Sequence, residues 1–206
     1  LPERGTFEVI LKEEIPDDAN VLPGRFVLAI KSTQDGESKC KARYVIGGHS
    51  DKLKALLVHP TQTLQPASIR LLLTIASIFG FGVWTADVSQ AYLQSASGIE
   101  RDVYIRNPIP EFKLKPSQCL KLVKPLYGLG ESGDLWHETL DIHHRDDLNM
   151  TPLKSDPALY IRLVKGVLDG MSGSYVDDLL RAGTKEFRNA CHLTHKRFQI
   201  DRKSVV

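Results

Sequence analysis

Cysteine is scarce: Cys40, Cys119 and Cys191 are odd in number and far apart, with no CxxC pair among them. That spacing argues against both a disulfide framework and a zinc knuckle, and a reducing intracellular compartment is the expectation. Charge of one sign is scarce as well. With 27 Lys and Arg against 25 Asp and Glu, the formal net charge of +2 names no partner, so charge must be read segment by segment. No apolar run is long enough to cross a bilayer. The longest, "IRLLLTIASIFGFGVW" from Ile69 to Trp84, is broken by Gly80 and Gly82 and reads as a buried helix followed by a strand. The opening "LPERGTFEVILKEEIPDD" lacks the basic start, apolar middle and small-residue end of a signal peptide. A first residue of Leu rather than Met leads us to expect a piece of a longer chain. Internal repeats and low-complexity tracts are missing too.

Several familiar chemistries fail on spacing. "WHETLDIHHRDD" contains His137, Glu138, His143 and His144, but not the HExxH spacing of a zinc helix, and a solvated helix face is expected there. Cys191, His192 and His195 have one-turn spacing without a second ligand cluster. The glycine run "YGLGESG" from Tyr127 to Gly133 matches neither the P-loop nor the dinucleotide fingerprint.

What is present is a 42% hydrophobic chain of 206 residues, enough for a sizeable core. Residues 1–24 are charged and turn-rich, and read as an entry linker. "RFVLAIK" and "CKARYVIGG" flank the turn-rich "STQDGES" and predict an antiparallel hairpin carrying Lys31, Lys39, Lys41 and Arg43, with Lys52 and Lys54 close behind. Pro66 to Phe79 predicts a helix capped by Ser68 and ended by Gly80. "VWTADVSQAYLQS" runs from a strand into Asp87 and then a short helix. "RDVYIRNPIPEF" and "CLKLVKPLYGL" predict strands, Ser132 to Asp147 a helix, "DPALYIRLVKGVLDGMSGSYVDDLLRAG" three strands, and Lys185 to Phe198 a final helix.

The dipeptide Asp-Asp occurs at Asp17-Asp18, Asp146-Asp147 and Asp177-Asp178, and only the last sits between apolar strand segments. Neighbouring side chains on a strand face opposite ways, so a hairpin tip is expected at "YVDD". Asp87 ends another buried strand, a position where α/β folds commonly place functional groups. Carboxylates from separate strands meeting at one sheet edge suit Mg²⁺, a hard cation that takes oxygen ligands. Two such ions about 3.5–4 Å apart serve in-line displacement at phosphorus. The expected chemistry is phosphoryl or nucleotidyl transfer, with Lys41 and Arg43 neutralising a triphosphate. A two-metal nuclease shares these features, and product analysis separates cleavage from extension.

These motifs, in this order, resemble the reverse transcriptase domain of copia-type LTR retrotransposons over about residues 25–201. The match is carried by "KARYVIGGH", "LQPASIRLLLTIASIFGFGVWTADVSQAYLQ", "LYGLGESGDLW", "SDPALYI" and "YVDD". Many members have Lys-Gln after "LYGL", where this chain has Gly130-Glu131, so only the backbone shape of that turn carries over. The resemblance implies an α+β fold with a right-hand polymerase-like palm, an antiparallel sheet backed by helices, and β-rich fingers. Fingers are expected at approximately 25–80 and 101–130 and palm at approximately 81–100 and 131–206, with thumb and RNase H absent. It implies RNA-directed DNA polymerisation on an RNA or DNA template with a primer, from dNTPs. Two Mg²⁺ ions, replaceable by Mn²⁺, would be held by Asp87 and Asp177, with Asp178 in a weaker role. Lys41, Arg43, Tyr92, Tyr127 and Gly128 would bind the dNTP, Tyr92 as the sugar gate, and Tyr175 and Val176 complete the signature. Further implied partners are the rest of a Pol polyprotein with integrase and RNase H, and no membrane. The implied setting is cytoplasmic, in virus-like particles, with a nuclear stage. The alternative is an inactive truncated element fragment that folds and binds nucleic acid without catalysis.

Overall fold

The structure is a computed structural model describing residues 5–32, 38–57, 62–106 and 112–201. It is mixed α+β and divides into two compact units, residues 1–59 with 95–135 and residues 60–94 with 136–206. Among the described residues no helix is long and apolar enough to cross a membrane.

The first unit holds two sheets. Strands β1 (Phe7–Leu11), β2 (Val21–Leu22), β6 (Tyr104–Ile105) and β7 (Gln118–Leu122) form one in the order β1-β7-β6-β2. The charged lead-in is therefore not a free linker: β1 pairs antiparallel with β7, Val9 opposite Leu120, because "FEVIL" has strand composition despite its charged surroundings. Leu22, Ile105, Leu120, Leu122 and Leu126 close the core of this unit. The expected hairpin is formed by β3 (Gly24–Ser32) and β4 (Ser38–Ile46), in register from Gly24 opposite Ile46 to Ser32 opposite Ser38. The expected loop residues 33–37 lie outside the described residues. Along β4 the alternation of a strand puts Tyr44 and Ile46 in the core while Lys41 is exposed and Arg43 half-buried. Arg101 closes the unit with ion pairs to Asp51 at 2.6 Å and Glu131 at 2.7 Å, all three side chains largely shielded from water.

The second unit is built on one antiparallel sheet, in the order β12-β5-β11-β10-β9-β8. Its strands are β5 (Gly82–Val88), β8 (Thr151–Leu153), β9 (Asp156–Val164), β10 (Val167–Tyr175), β11 (Asp178–Gly183) and β12 (Ile200–Asp201). Alternate residues of β11 enter different clusters, which assigns the two faces. Ala182 and Leu180 join Leu72 and Ala76 of a long helix, α2 (Pro66–Phe79). Leu179 joins Trp136 and Leu140 of α3 (Ser132–Ile142). In sequence α2 was grouped with residues 25–80, yet it belongs to this second unit because its buried stripe closes on β10 and β11.

Helix ends differ from expectation for local reasons. Gln65, not Ser68, is the N-cap of α2, since Pro66 occupies the first helical position and Ser68 is buried. Gly80 ends the helix as expected, in the left-handed region at φ 64°. The last helix is two, α4 (Lys185–Ala190), capped by Thr184 Oγ1 accepting from the Phe187 amide at 3.1 Å, and α5 (His192–Arg197). A further short helix, α1 (Lys54–Leu57), lies in the first unit.

The largest departure concerns the histidines. The end of α3 continues into a π-helical turn, His143–Asp147, and His143 and His144 are fully buried rather than on a solvated face. The extra residue per turn points both rings inward. His144 stacks on Tyr160, ring centroids 4.3 Å apart, and its Nε2 lies 2.9 Å from Ser172 Oγ. His143 bridges Asp147 at 2.7 Å and Thr194 Oγ1 at 2.9 Å. The buried guanidinium of Arg181 donates to Ser172 Oγ at 3.2 Å and Thr194 Oγ1 at 2.9 Å, joining the two histidine branches.

Candidate active site

Asp87 and Asp178 are direct register partners on β5 and β11. Facing residues of an antiparallel pair project from the same side, so these carboxylates share one sheet face, with Cβ atoms about 4.5–5.5 Å apart. On its other side Asp87 is in register with Asp201 of β12. Asp177 is not on a strand. Tyr175 pairs with Asp178, leaving Val176 and Asp177 as the two central residues of a tight hairpin turn; the hairpin tip is where the adjacent aspartates led us to expect it, but Asp177 rather than Asp178 sits in the turn, because Asp178 opens β11.

The turn is unusual in its chemistry. Val176 has φ 54°, a region that a β-branched residue enters only at steric cost and that two-residue hairpins normally fill with glycine or asparagine. Both central carbonyls are tied to other elements. Trp136 Nε1 of α3 donates to Val176 O at 2.7 Å, and the Val88 amide of β5 donates to Asp177 O at 2.8 Å. Asp177 is half-buried and Asp178 exposed, while Tyr175 stands at the surface. Helical periodicity over Ser132 to Asp147 places Trp136 with Leu135, Leu140 and Ile142 as an apolar position and nothing more. Its indole N–H was invisible to periodicity, because an indole fills a core site like any other large side chain.

Tyr92 follows Asp87 on a 3₁₀ turn, half-buried against the cluster of Ala86, Val88, Ala91 and Trp136. The side chain of Gln94 braces this turn, donating to Ser89 O at 2.6 Å and accepting from the Gln199 amide at 2.8 Å. Asp87, Tyr92, Asp177 and Asp178 thus all belong to the second unit.

Lys41, Arg43, Tyr127 and Gly128 belong to the first. Lys41 and Arg43 are two residues apart on β4 and so share a face. Arg43 lies over the Tyr127 ring, 5.8 Å from its centroid, and the Ile46 amide donates to Tyr127 O at 2.8 Å. Gly128 has φ 99°, and a Cβ there would fall 1.9 Å from Ile46 O, so only glycine lets this turn approach the end of β4. Pro23, Arg25, Gly48, His49 and Gly128 line a cleft of about 460 Å³ beside that turn.

The donor chemistry of Asp87, Asp177 and Asp178 suits a hard divalent cation, which takes carboxylate oxygens. Among the described residues no three His, Cys, Asp or Glu side chains form a ready-made metal-holding group.

The chain is similar to known proteins over most of its described length. Residues 6–201 match a family model described as "Reverse transcriptase (RNA-dependent DNA polymerase)". The chain is also 28% identical over 172 residues to the "Retrovirus-related Pol polyprotein from transposon RE1" of Arabidopsis thaliana. That alignment takes in 82% of this chain and 11% of the relative, so the chain spans about a tenth of that protein's length.

Proposed function

The chain belongs to the reverse transcriptase family, of the copia-type retrotransposon kind, and from that premise we propose that it carries the palm and fingers of an RNA-directed DNA polymerase. The observation that supports this most is the cross-strand pair Asp87 and Asp178 with Asp177 in the adjoining turn. In the proposed reaction the primer 3′-hydroxyl oxygen bonds to the α-phosphorus of a dNTP as the bond to the β-phosphate bridging oxygen breaks. The hydroxyl proton is lost and pyrophosphate leaves.

Members of this family use divalent metal ions, and Mg²⁺ bound here would stabilise charge on the attacking and leaving oxygens. Asp87, Asp177 and Asp178 would hold it. Asp177 would do so from a turn whose carbonyls are held by Trp136 and Val88, and Asp178 from the first position of β11. Arg43, steadied over Tyr127, would hold the triphosphate with Lys41 beside it on the same strand face. Tyr92, packed at its base, would reject a ribose 2′-hydroxyl by bulk. Template and primer, dNTPs, and the remainder of a Pol polyprotein with integrase and RNase H are the proposed partners.

Primer extension with Mg²⁺ on matched RNA and DNA templates tests the reading. The chain is expected to extend the primer on both, and Asp177→Asn to abolish extension with an unchanged circular dichroism spectrum. Equal activity in the two proteins would remove the site assignment, and no extension by the unaltered chain would favour a fragment that folds without catalysing.

A further inference from the structure

We propose that Trp136 is a positioning residue that selects the conformation of the Val176-Asp177 turn and thereby aims the carboxylate of Asp177; this rests on the polymerase reading of that turn. The argument begins with the central peptide of the hairpin. In a two-residue turn the amide between the central residues can flip, changing ψ of the first and the sign of φ of the second and so swinging the second side chain. Val176 has φ 54° and Asp177 has no positive φ, the pattern of a type II′ turn, whose first position belongs to glycine; the flipped, type I′ form puts Asp177 in the left-handed region that aspartate tolerates, so a chain with β-branched Val176 would alone prefer the flipped form. The carbonyl that would rotate in such a flip is Val176 O. It accepts from Trp136 Nε1 at 2.7 Å, and Trp136 is 1% exposed, so water cannot replace the donor on that side.

The indole is itself held. Its ring packs edge-on against Phe198, centroids 5.2 Å apart, within the cluster that includes Ala86, Val88 and Leu179 from the strands bearing the acids. Val88, whose amide fixes Asp177 O, immediately follows Asp87. One small cluster therefore sets the backbone at Asp87, Asp177 and Asp178 together. A leucine or phenylalanine there would keep the site apolar but offer no donor to choose the peptide orientation. The strained valine and the buried N–H are complementary parts of one device.

The test uses the full chain, ¹⁵N-labelled, in four forms: unaltered, Trp136→Phe, Val176→Gly, and both together. The chain has two tryptophans, Trp84 and Trp136, so the Trp136 indole N–H is identified by its loss in Trp136→Phe. Hydrogen exchange at the Asp177 and Asp178 amides is expected to accelerate about tenfold in Trp136→Phe. Broadening of those amides by Mn²⁺ is expected to need about tenfold more metal. In primer extension kcat falls about tenfold while KM for the dNTP stays within about twofold.

Adding Val176→Gly should recover most of each loss, because glycine favours the first position of a type II′ turn without the indole's help, whereas it restores none of the missing ring volume. Where Trp136→Phe weakens folding, benzothienylalanine at position 136, with Trp84 replaced by Phe, keeps the ring volume without the N–H and must reproduce the exchange result. Unchanged exchange at Asp177 and Asp178, or no recovery with glycine, would overturn the proposal. Exchange and metal readings as expected, with no extension by the unaltered chain, would leave Trp136's role standing and remove the catalytic reading instead.

Discussion

Phe187 offers the sharpest test of how the base of the acidic hairpin is held. Its ring, fully buried on α4, lies over Gly170 of β10 and Gly183 of β11, which are direct partners across the sheet. A Cβ built on Gly170 would come within 2.1 Å of that ring, and one on Gly183 within 2.4 Å. The two glycines leave the hollow that the ring fills. Phe187→Ala should cost about 3–5 kcal/mol, the transfer loss of the ring plus the void it leaves. Gly170→Ala should cost about 1–3 kcal/mol, because the new methyl meets a ring held against Trp84 at 5.8 Å and cannot pass it without repacking. In the double variant the methyl enters the space that the ring vacated. Its cost should then fall at or below that of Phe187→Ala alone, a coupling of at least about 1 kcal/mol. Urea unfolding of the four proteins, followed by tryptophan fluorescence and far-ultraviolet circular dichroism, measures it through the shift in midpoint at constant slope. Additive costs would refute the steric argument.

Three shorter predictions follow from the same geometry. Burial pushes the pKa of both His143 and His144 below the ordinary 6.5, the Arg181 charge adding to the effect, while Asp147 opposes it at His143. The unfolded chain then binds more protons below about pH 6.5, so stability should fall as pH drops from there and recover on return to pH 7.5, read by thermal melts across that range. His143→Gln should flatten part of this dependence. Arg101→Met removes the partner of both Asp51 and Glu131, and Asp51 is 2% exposed in its side chain; the loss should reach the lower end of about 3–5 kcal/mol in chemical denaturation. Asp178→Asn removes one of two like charges facing each other across β5 and β11, and should weaken extension while leaving stability unchanged or raised by about 0.2–1 kcal/mol, since cross-strand like charges repel. A destabilised Asp178→Asn would mean that the carboxylate serves the fold.

Much of the fold was legible because its signals are local. Runs of strand composition between turn-forming residues located β3, β4, β9, β10 and β11, and Gly80 located the end of α2. What could not be read depends on distant partners. The charges around "FEVIL" hid a strand whose pairing residues lie more than a hundred positions away in β7. Ser68 has the composition of a cap, but Pro66 at the first helical position moved the cap outward. In the sequence the pair His143-His144 reads as a wet face because polar residues on a helix are most often exposed. A π-helical turn and four polar partners, Asp147, Thr194, Ser172 and the Leu140 carbonyl, make burial tolerable.

The three Asp-Asp pairs show why composition alone underdetermines a site. Asp17 and Asp18 are exposed, and what the structure uses there is the Asp18 carbonyl, which accepts from Lys52 Nζ at 2.8 Å. Asp147 of the second pair is a fold residue: it reaches His143 and Arg197, whose hydrogen bonds hold its carboxyl below the usual range, the His143 bond foremost. In the third pair one acid sits on β11 opposite Asp87 and the other in a turn whose two carbonyls are bound from outside. The difference lies in what fixes the backbone beneath each carboxylate. At Asp177 and Asp178 that fixing comes from Trp136 and Val88, two apolar residues contributing one N–H each. An acid becomes useful for metal chemistry when groups other than the acid decide where it points, and a search that scores only acids, bases and glycines passes over those groups.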